Sequence, residues 1–278
     1  MNNIESISLL LILATVVISY RGFRDESFFE KYGFEVDAIL IHKEYIRLLS
    51  SGFLHANWWH LIFNMAALYS FSSGTGYVLG LKNFLLLYFS CLIAGNLLAL
   101  FIHRNHGDYR AIGASGAVSG VIFSSIVLFP EAEISFAFLP FHIQGWVFGI
   151  LYVLVAIYGI KTQVGNIGHE AHLGGAIAGV LISIAIEPII LEIYPVVIAS
   201  ILLPFIGFMI LLVKRPEILF IENYWGYTSK PKNDYYESSY YDEELLNRLL
   251  EKVSEKGIDG LTKREKKMLE DLSKKIEQ

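Results

Sequence analysis

The stretch that decides the fold is Gly113-Ala114-Ser115-Gly116-Ala117-Val118-Ser119-Gly120. It lies in an apolar run, residues 111–129, that holds no Asp, Glu, Lys or Arg. Gly116 and Gly120 are four apart and share a helix face, the small-xxx-small pattern that lets two membrane helices approach closely. Ser115 falls in the first turn, where unused backbone N–H groups and the positive end of the helix dipole favour a developing anion. A serine so placed is either a nucleophile with an oxyanion site around it or one more small packing residue. The choice turns on whether the rest of the chain supplies a base.

Composition sets the frame. The chain has 278 residues, 54% hydrophobic and 18% charged, with a mean hydropathy of +0.48. Between residues 58 and 188 the charges are confined to short breaks, whereas the chain beyond Tyr241 is crowded with them. This contrast indicates a polytopic membrane domain with a soluble tail. The net charge of −5 gives no reason to expect nucleic acid as a partner. Cys91 is the sole cysteine, so no intrachain disulfide can form.

Residues 7–20 form a first apolar run, short against the roughly 20 residues that a bilayer requires. They lack the basic start and small-residue cleavage site of a signal peptide, and read as a retained span. Residues 21–53 mix charges with aromatic rings and suit a loop in the headgroup zone. Five further runs follow, 57–81, 84–102, 111–129, 142–160 and 171–186, separated by turn or charged residues such as Lys82-Asn83 and Pro130-Glu131. A seventh run, 196–213, carries Pro204 inside it and reads as a further span or an interfacial segment. A Tyr-rich polar linker covers 224–241. Thereafter Leu245, Leu246, Leu249, Leu250 and Val253 recur at helical spacing, and Thr262-Lys263-Arg264-Glu265 reads as a capping box. The expected fold is all-α: a six-span bundle over 1–190, the seventh run within 191–223, the linker, and a soluble amphipathic helical hairpin over 242–278.

Polar side chains are costly in lipid, so those kept inside spans are functional candidates. Among Asp, Glu, Lys, Arg and His, only His60 and His172 lie within a run rather than in a break or at its edge. Asn64 is four residues after His60, on the same face. The second, fourth and sixth runs point the same way, and His60, Ser115 and His172 each lie near the start of theirs. They therefore converge on one depth. Gly116 and Gly120 on the fourth span, with Gly175 and Gly179 on the sixth, supply small faces through which the two helices can touch. The chemistry that follows is peptide hydrolysis by a dyad. Ser115 attacks a carbonyl, His172 takes its proton and returns it to the leaving amine, and His60, the Asn64 amide and the Ser115 N–H hold the oxyanion. No carboxylate sits at this depth within the spans, and Glu170 lies next to the aqueous edge. No cofactor is required.

These stretches resemble the rhomboid intramembrane serine proteases, over roughly residues 44–187. Three motifs carry the resemblance: His55–Asn64, Gly113-Ala114-Ser115-Gly116, and Ala171-His172 followed by Gly175 and Gly179. The resemblance implies a nucleophile at Ser115, a base at His172, and oxyanion help from His60 and Asn64. It implies a six-span core whose site opens to the extracytoplasmic side, and substrates that are themselves transmembrane proteins, cut near the membrane edge. His55, Arg47 and Gly113 match positions that we read as structural. There are two departures. The family's Trp-Arg pair in the first loop appears as Ile46-Arg47, and the aromatic that some members carry one turn after the nucleophile is Ser119. We expect a multi-pass protein in the plasma or inner membrane of a bacterium.

Two other readings compete. A relative that binds transmembrane helices without cutting them would not need Ser115 and His172 intact. A metalloprotease would use the many histidines, but His169-Glu170-Ala171-His172 has i, i+3 spacing instead of the i, i+4 of H-E-x-x-H, so no metal site is expected. Basic residues on the two sides of the spans do not distinguish the orientation.

Overall fold

The computed structural model describes residues 3–135, 142–162 and 167–215, with isolated positions between 219 and 269. Helix α1 covers Asn3–Gly22, about 30 Å at 1.5 Å per residue. It extends the short apolar run at both ends, so this segment is long enough to cross a membrane. Its buried face carries Ser8, Thr15 and Ser19. Ser8 and Thr15 turn their hydroxyls back onto the carbonyls four residues earlier, which satisfies them without a partner helix.

The first loop is more ordered than its composition suggests. Asp25 caps α2 (Glu26–Tyr32) by accepting from the Phe28 N–H, and β1 (Phe34–Glu35), α3 (Val36–Leu40) and α4 (Arg47–Ser50) follow. Phe34, Val36 and Ile39 pack on Ala99 and Ala171, so the loop is seated on the bundle.

The stretch Trp58–Ile102 is helical throughout except at Gly80, whose φ of 76° and ψ of 163° divide it into α5 (58–79) and α6 (81–102). The expected break at Lys82-Asn83 therefore falls two residues earlier, on the residue that tolerates positive φ. The start of α5 and the end of α6 both reach the level of Ser115: His60 lies against Gly113, and Gly95 against Ala171. The two helices thus form an antiparallel hairpin.

The fourth run differs most from expectation. Arg110–Ala111 is not helical but a strand, β2, antiparallel to β1. Helix α7 is only Ser115–Leu128, about 21 Å long, against a hydrocarbon core of about 30 Å. It is shorter than a full crossing. A second short strand pair, β3 (Glu133–Ser135) with β4 (His142–Gln144), precedes α8 (Gly145–Thr162). Then come α9 (His169–Ile186), α10 (Ile190–Ile193) and α11 (Pro195–Lys214). Pro195 opens α11 and Pro204 lies inside it, and the helix is long and apolar enough to cross a membrane.

Two apolar clusters hold the bundle. One lies among α1, α5, α6 and α7, with Leu61, Leu68, Phe84, Tyr88 and Val121. The other lies among α7, α8, α9 and α11, with Phe123, Val153, Ile177 and Ile201. At the glycines α7 and α9 leave no room for a side chain: a Cβ at Gly175 would collide with the Gly116 carbonyl, and one at Gly179 with that of Gly120; one turn deeper the Ser124 and Ser183 hydroxyls meet at 2.6 Å.

Chain contacts divide the molecule after Tyr224. In the second unit, Leu249–Leu250 and residues 252–254 are helical and a tight turn covers Ile258–Gly260. Leu249, Leu261, Val253 and Leu269 form a small cluster. The Tyr-rich linker and most of the expected hairpin lie outside the described residues.

Candidate active site

Ser115 is the first residue of α7. Gly113 before it has φ +125°, a conformation that side-chain-bearing residues rarely adopt, and donates its N–H to the Ser51 carbonyl at 3.0 Å. The chain thus turns into the helix with the Ser115 hydroxyl at its open end, where the first N–H groups have no intrahelical partner.

His172 is in the first turn of α9, and its Nε2 lies 2.7 Å from Ser115 Oγ. The glycines explain why. The carbonyl of Ala171, one residue earlier, lies against both Gly95 of α6 and Gly116 of α7. Three backbones therefore fix the height of His172. Ser115 and His172 are each of intermediate exposure as residues.

His60 stands on the other side of Gly113, whose Cβ would come within 2.9 Å of His60 Nε2 and 3.6 Å of Ser115 Oγ. Asn57 caps α5 by accepting from the His60 N–H at 2.9 Å, which sets the first turn. His60 Nδ1 faces the Ala56 N–H at 3.5 Å. As an acceptor there, it leaves the proton on Nε2, toward the Gly113 side. Asn64 lies one turn deeper, and its Nδ2 donates to the His60 carbonyl at 2.9 Å.

His55 has a separate task. Ser19 Oγ donates to the Phe53 carbonyl at 2.8 Å and lies 2.9 Å from His55 Nδ1. With its one hydrogen used, the hydroxyl must accept from Nδ1–H. His55 Nε2 is then free to accept the Ala114 N–H, at 3.4 Å. Burial, with the nearby His60 adding to it, pushes His55 down to about 3, so it stays neutral in this role. Arg47 braces the first loop: Nε donates to Glu44 at 2.6 Å and Nη1 to the carbonyls of Glu30 and Gly33 at 2.5 and 2.7 Å. In return the guanidinium holds the Glu44 carboxyl below its usual range.

One expectation fails. Glu170 is not at an aqueous edge; it is 2% exposed and meets His103 Nε2 at 3.0 Å. Tyr109 stacks on His103, with ring centroids 3.6 Å apart, and its hydroxyl reaches Glu170 at 3.5 Å. Burial, then the Glu170 charge, raises the Tyr109 phenol well above its ordinary value, so it remains a donor. This cluster ties the segment between α6 and α7 to the start of α9. Its members lie in breaks between runs, where polar residues carry no signal. Tyr152, whose ring faces His172, was equally hidden as one aromatic among many. Among the described residues, no three His, Cys, Asp or Glu side chains are grouped to hold a metal ion.

Comparison with known proteins gives two family matches. A Rhomboid domain model matches residues 42–188, and a family of unknown function (DUF6576) matches 233–275. Rhomboid protein 1, mitochondrial, of Saccharomyces cerevisiae is 36% identical over 161 residues, 55% of this chain and 45% of the yeast protein. Presenilin-associated rhomboid-like protein, mitochondrial, of Homo sapiens is 32% identical over 139 residues, 48% of this chain and 36% of the human one. RHOMBOID-like protein 12, mitochondrial, of Arabidopsis thaliana is 25% identical over 185 residues, 61% and 54% of the respective chains. The chain thus spans about half or less of the length of these relatives. The expected bacterial plasma or inner membrane is overturned, because these relatives are all named as mitochondrial proteins. The multi-pass membrane character fits them.

Proposed function

The chain belongs to the rhomboid family, and from that premise we propose that it is an intramembrane serine endopeptidase with a Ser115–His172 dyad. The observation that carries this is the 2.7 Å contact between Ser115 Oγ and His172 Nε2, the distance that general-base activation of a hydroxyl requires. Ser115 Oγ attacks the scissile carbonyl carbon as its proton passes to His172 Nε2. The carbonyl oxygen becomes an oxyanion, stabilised by the His60 Nε2–H, the Asn64 amide and the Ser115 N–H. Collapse breaks the C–N bond, and the leaving amine takes the proton from His172. Water then attacks the acyl-ester with His172 again as base, releasing the acid and restoring Ser115.

The substrate is a transmembrane protein. The cut falls near the membrane edge, where a helix end can unwind into the site; the position of Ser115 in the first turn of α7 supports this reading. A small residue precedes the cut, because Gly113, His60 and His172 crowd Ser115. By the names of the relatives, the setting is a mitochondrial membrane. Residues 1–190 form the catalytic core, and the 242–278 segment is a docking or stabilising addition.

The test is cleavage of a transmembrane substrate by wild type and by Ser115→Ala in the same liposomes. Cutting by wild type alone supports the assignment. Equal cutting, or equal absence of it, refutes it and favours a protein that holds membrane helices without cleaving them.

A further inference from the structure

Backbone contacts set where α7 and α9 lie, but they do not fix the plane of the His172 ring. A 2.7 Å contact to Ser115 is productive only while that plane stays aligned, so a side chain must hold it. Two rings face the imidazole: His169, edge-on at 6.4 Å and 73°, and Tyr152 of α8, close to parallel at 6.4 Å and 27°. Tyr152 is itself held on three sides. Its hydroxyl is 2.7 Å from Ser119 Oγ, one turn beyond the nucleophile. Its ring meets Phe123 edge-on, with centroids 5.2 Å apart, and Phe148 at 5.7 Å. Separations of this size lie within the range of favourable aromatic pairs.

Resting on the proteolytic reading above, we propose that Tyr152, anchored by the Ser119 hydroxyl, is the positioning residue that fixes the His172 imidazole plane for proton transfer with Ser115. Ser119 is small where a ring could have stood, and the ring instead comes from the neighbouring helix, with Ser119 as its anchor. The contact joins three helices at the site: Ser119 on α7, Tyr152 on α8 and His172 on α9. Tyr152 touches no reacting atom; it acts through His172.

The test uses the full chain in detergent micelles and a fluorophosphonate probe. The concentration dependence of labelling separates the maximal rate from the half-saturating concentration. Tyr152→Leu, which keeps apolar volume but removes the ring, is expected to lower the maximal rate about 10- to 100-fold, the scale of a misaligned catalytic group. Its half-saturating concentration and thermal midpoint should stay near wild type. Tyr152→Phe should retain most of the rate, and Ser119→Ala should lose about fivefold or less. An unchanged maximal rate in Tyr152→Leu, or a loss that only follows an unfolded fraction, overturns the proposal while wild-type labelling leaves the protease reading standing. Wild type that takes no label at Ser115 removes both.

Discussion

Helices α9 and α8 both flank α7, but they touch it in different ways. α9 meets it backbone to backbone: Gly175 and Gly179 lie on the carbonyls of Gly116 and Gly120, and Ala171 lies against Gly95 and Gly116. α8 meets α7 through side chains, with Tyr152 on Ser119 and Phe123 and Gly149 near Ile126. A backbone seam has no rotamers to adjust, so it fixes the separation of Ser115 and His172 to within a hydrogen bond. A side-chain seam can be refitted residue by residue, and it is there that the orientation of His172 is tuned.

That contrast can be broken most forcefully at Gly175. Replacing it with valine forces α7 and α9 apart, and we expect a loss of about 3 kcal/mol or more, with no probe labelling. A thermal midpoint close to wild type would show that the seam has slack. The next largest effect lies where the first loop pins the entrance to α7. His55→Ala strands the Ala114 N–H, while the Ser19 hydroxyl keeps the Phe53 carbonyl; the cost is about 1–3 kcal/mol, read as a lower midpoint.

His55 also makes a pH prediction with a definite sign. Its folded value is about 3 against a reference of 6.5, so between these the unfolded chain binds a proton that the folded chain refuses. Stability attributable to His55 is present above 6.5 and is lost as the pH falls toward 3. Between neutral pH and about pH 4.5, wild type should lose more stability than His55→Gln. Parallel losses would mean that His55 is not buried as a neutral ring. The smallest effect is expected on the side-chain seam. Gly149→Ala brings a Cβ only to 3.3 Å from Ile201 Cδ1, a flexible end, and to an ordinary contact of 3.4 Å with Ile126 Cγ2. Its midpoint should change by the equivalent of about 1 kcal/mol or less.

The same contrast explains what could be read in advance. His60, Ser115 and His172 stand out because polar groups inside apolar runs are rare, and counting the runs places them at one depth. The glycines at 116, 120, 175 and 179 repeat at helical spacing, so the seam is visible in the sequence. Side-chain packing leaves no such mark. Tyr152 looks like any core aromatic until its ring is seen beside His172. Glu170, His103 and Tyr109 lie in polar breaks, where their burial could not be anticipated. Ala111 opens an apolar run that passes for helix, and only the long-range pairing of 110–111 with 34–35 makes that opening a strand, so that α7 begins later than the run does. The turn at Gly80 depends on backbone conformation, whereas Lys82-Asn83, two residues later, is the more conspicuous polar break.

The most direct test of the central claim is to locate the covalent adduct. Wild type, Ser115→Ala and His172→Ala are treated with a fluorophosphonate, digested and mapped by mass spectrometry. The expected result is a single modified serine, Ser115, in wild type, and no adduct in either variant. A label on another serine, or one at Ser115 that forms at the wild-type rate without His172, would contradict a hydroxyl activated by that imidazole.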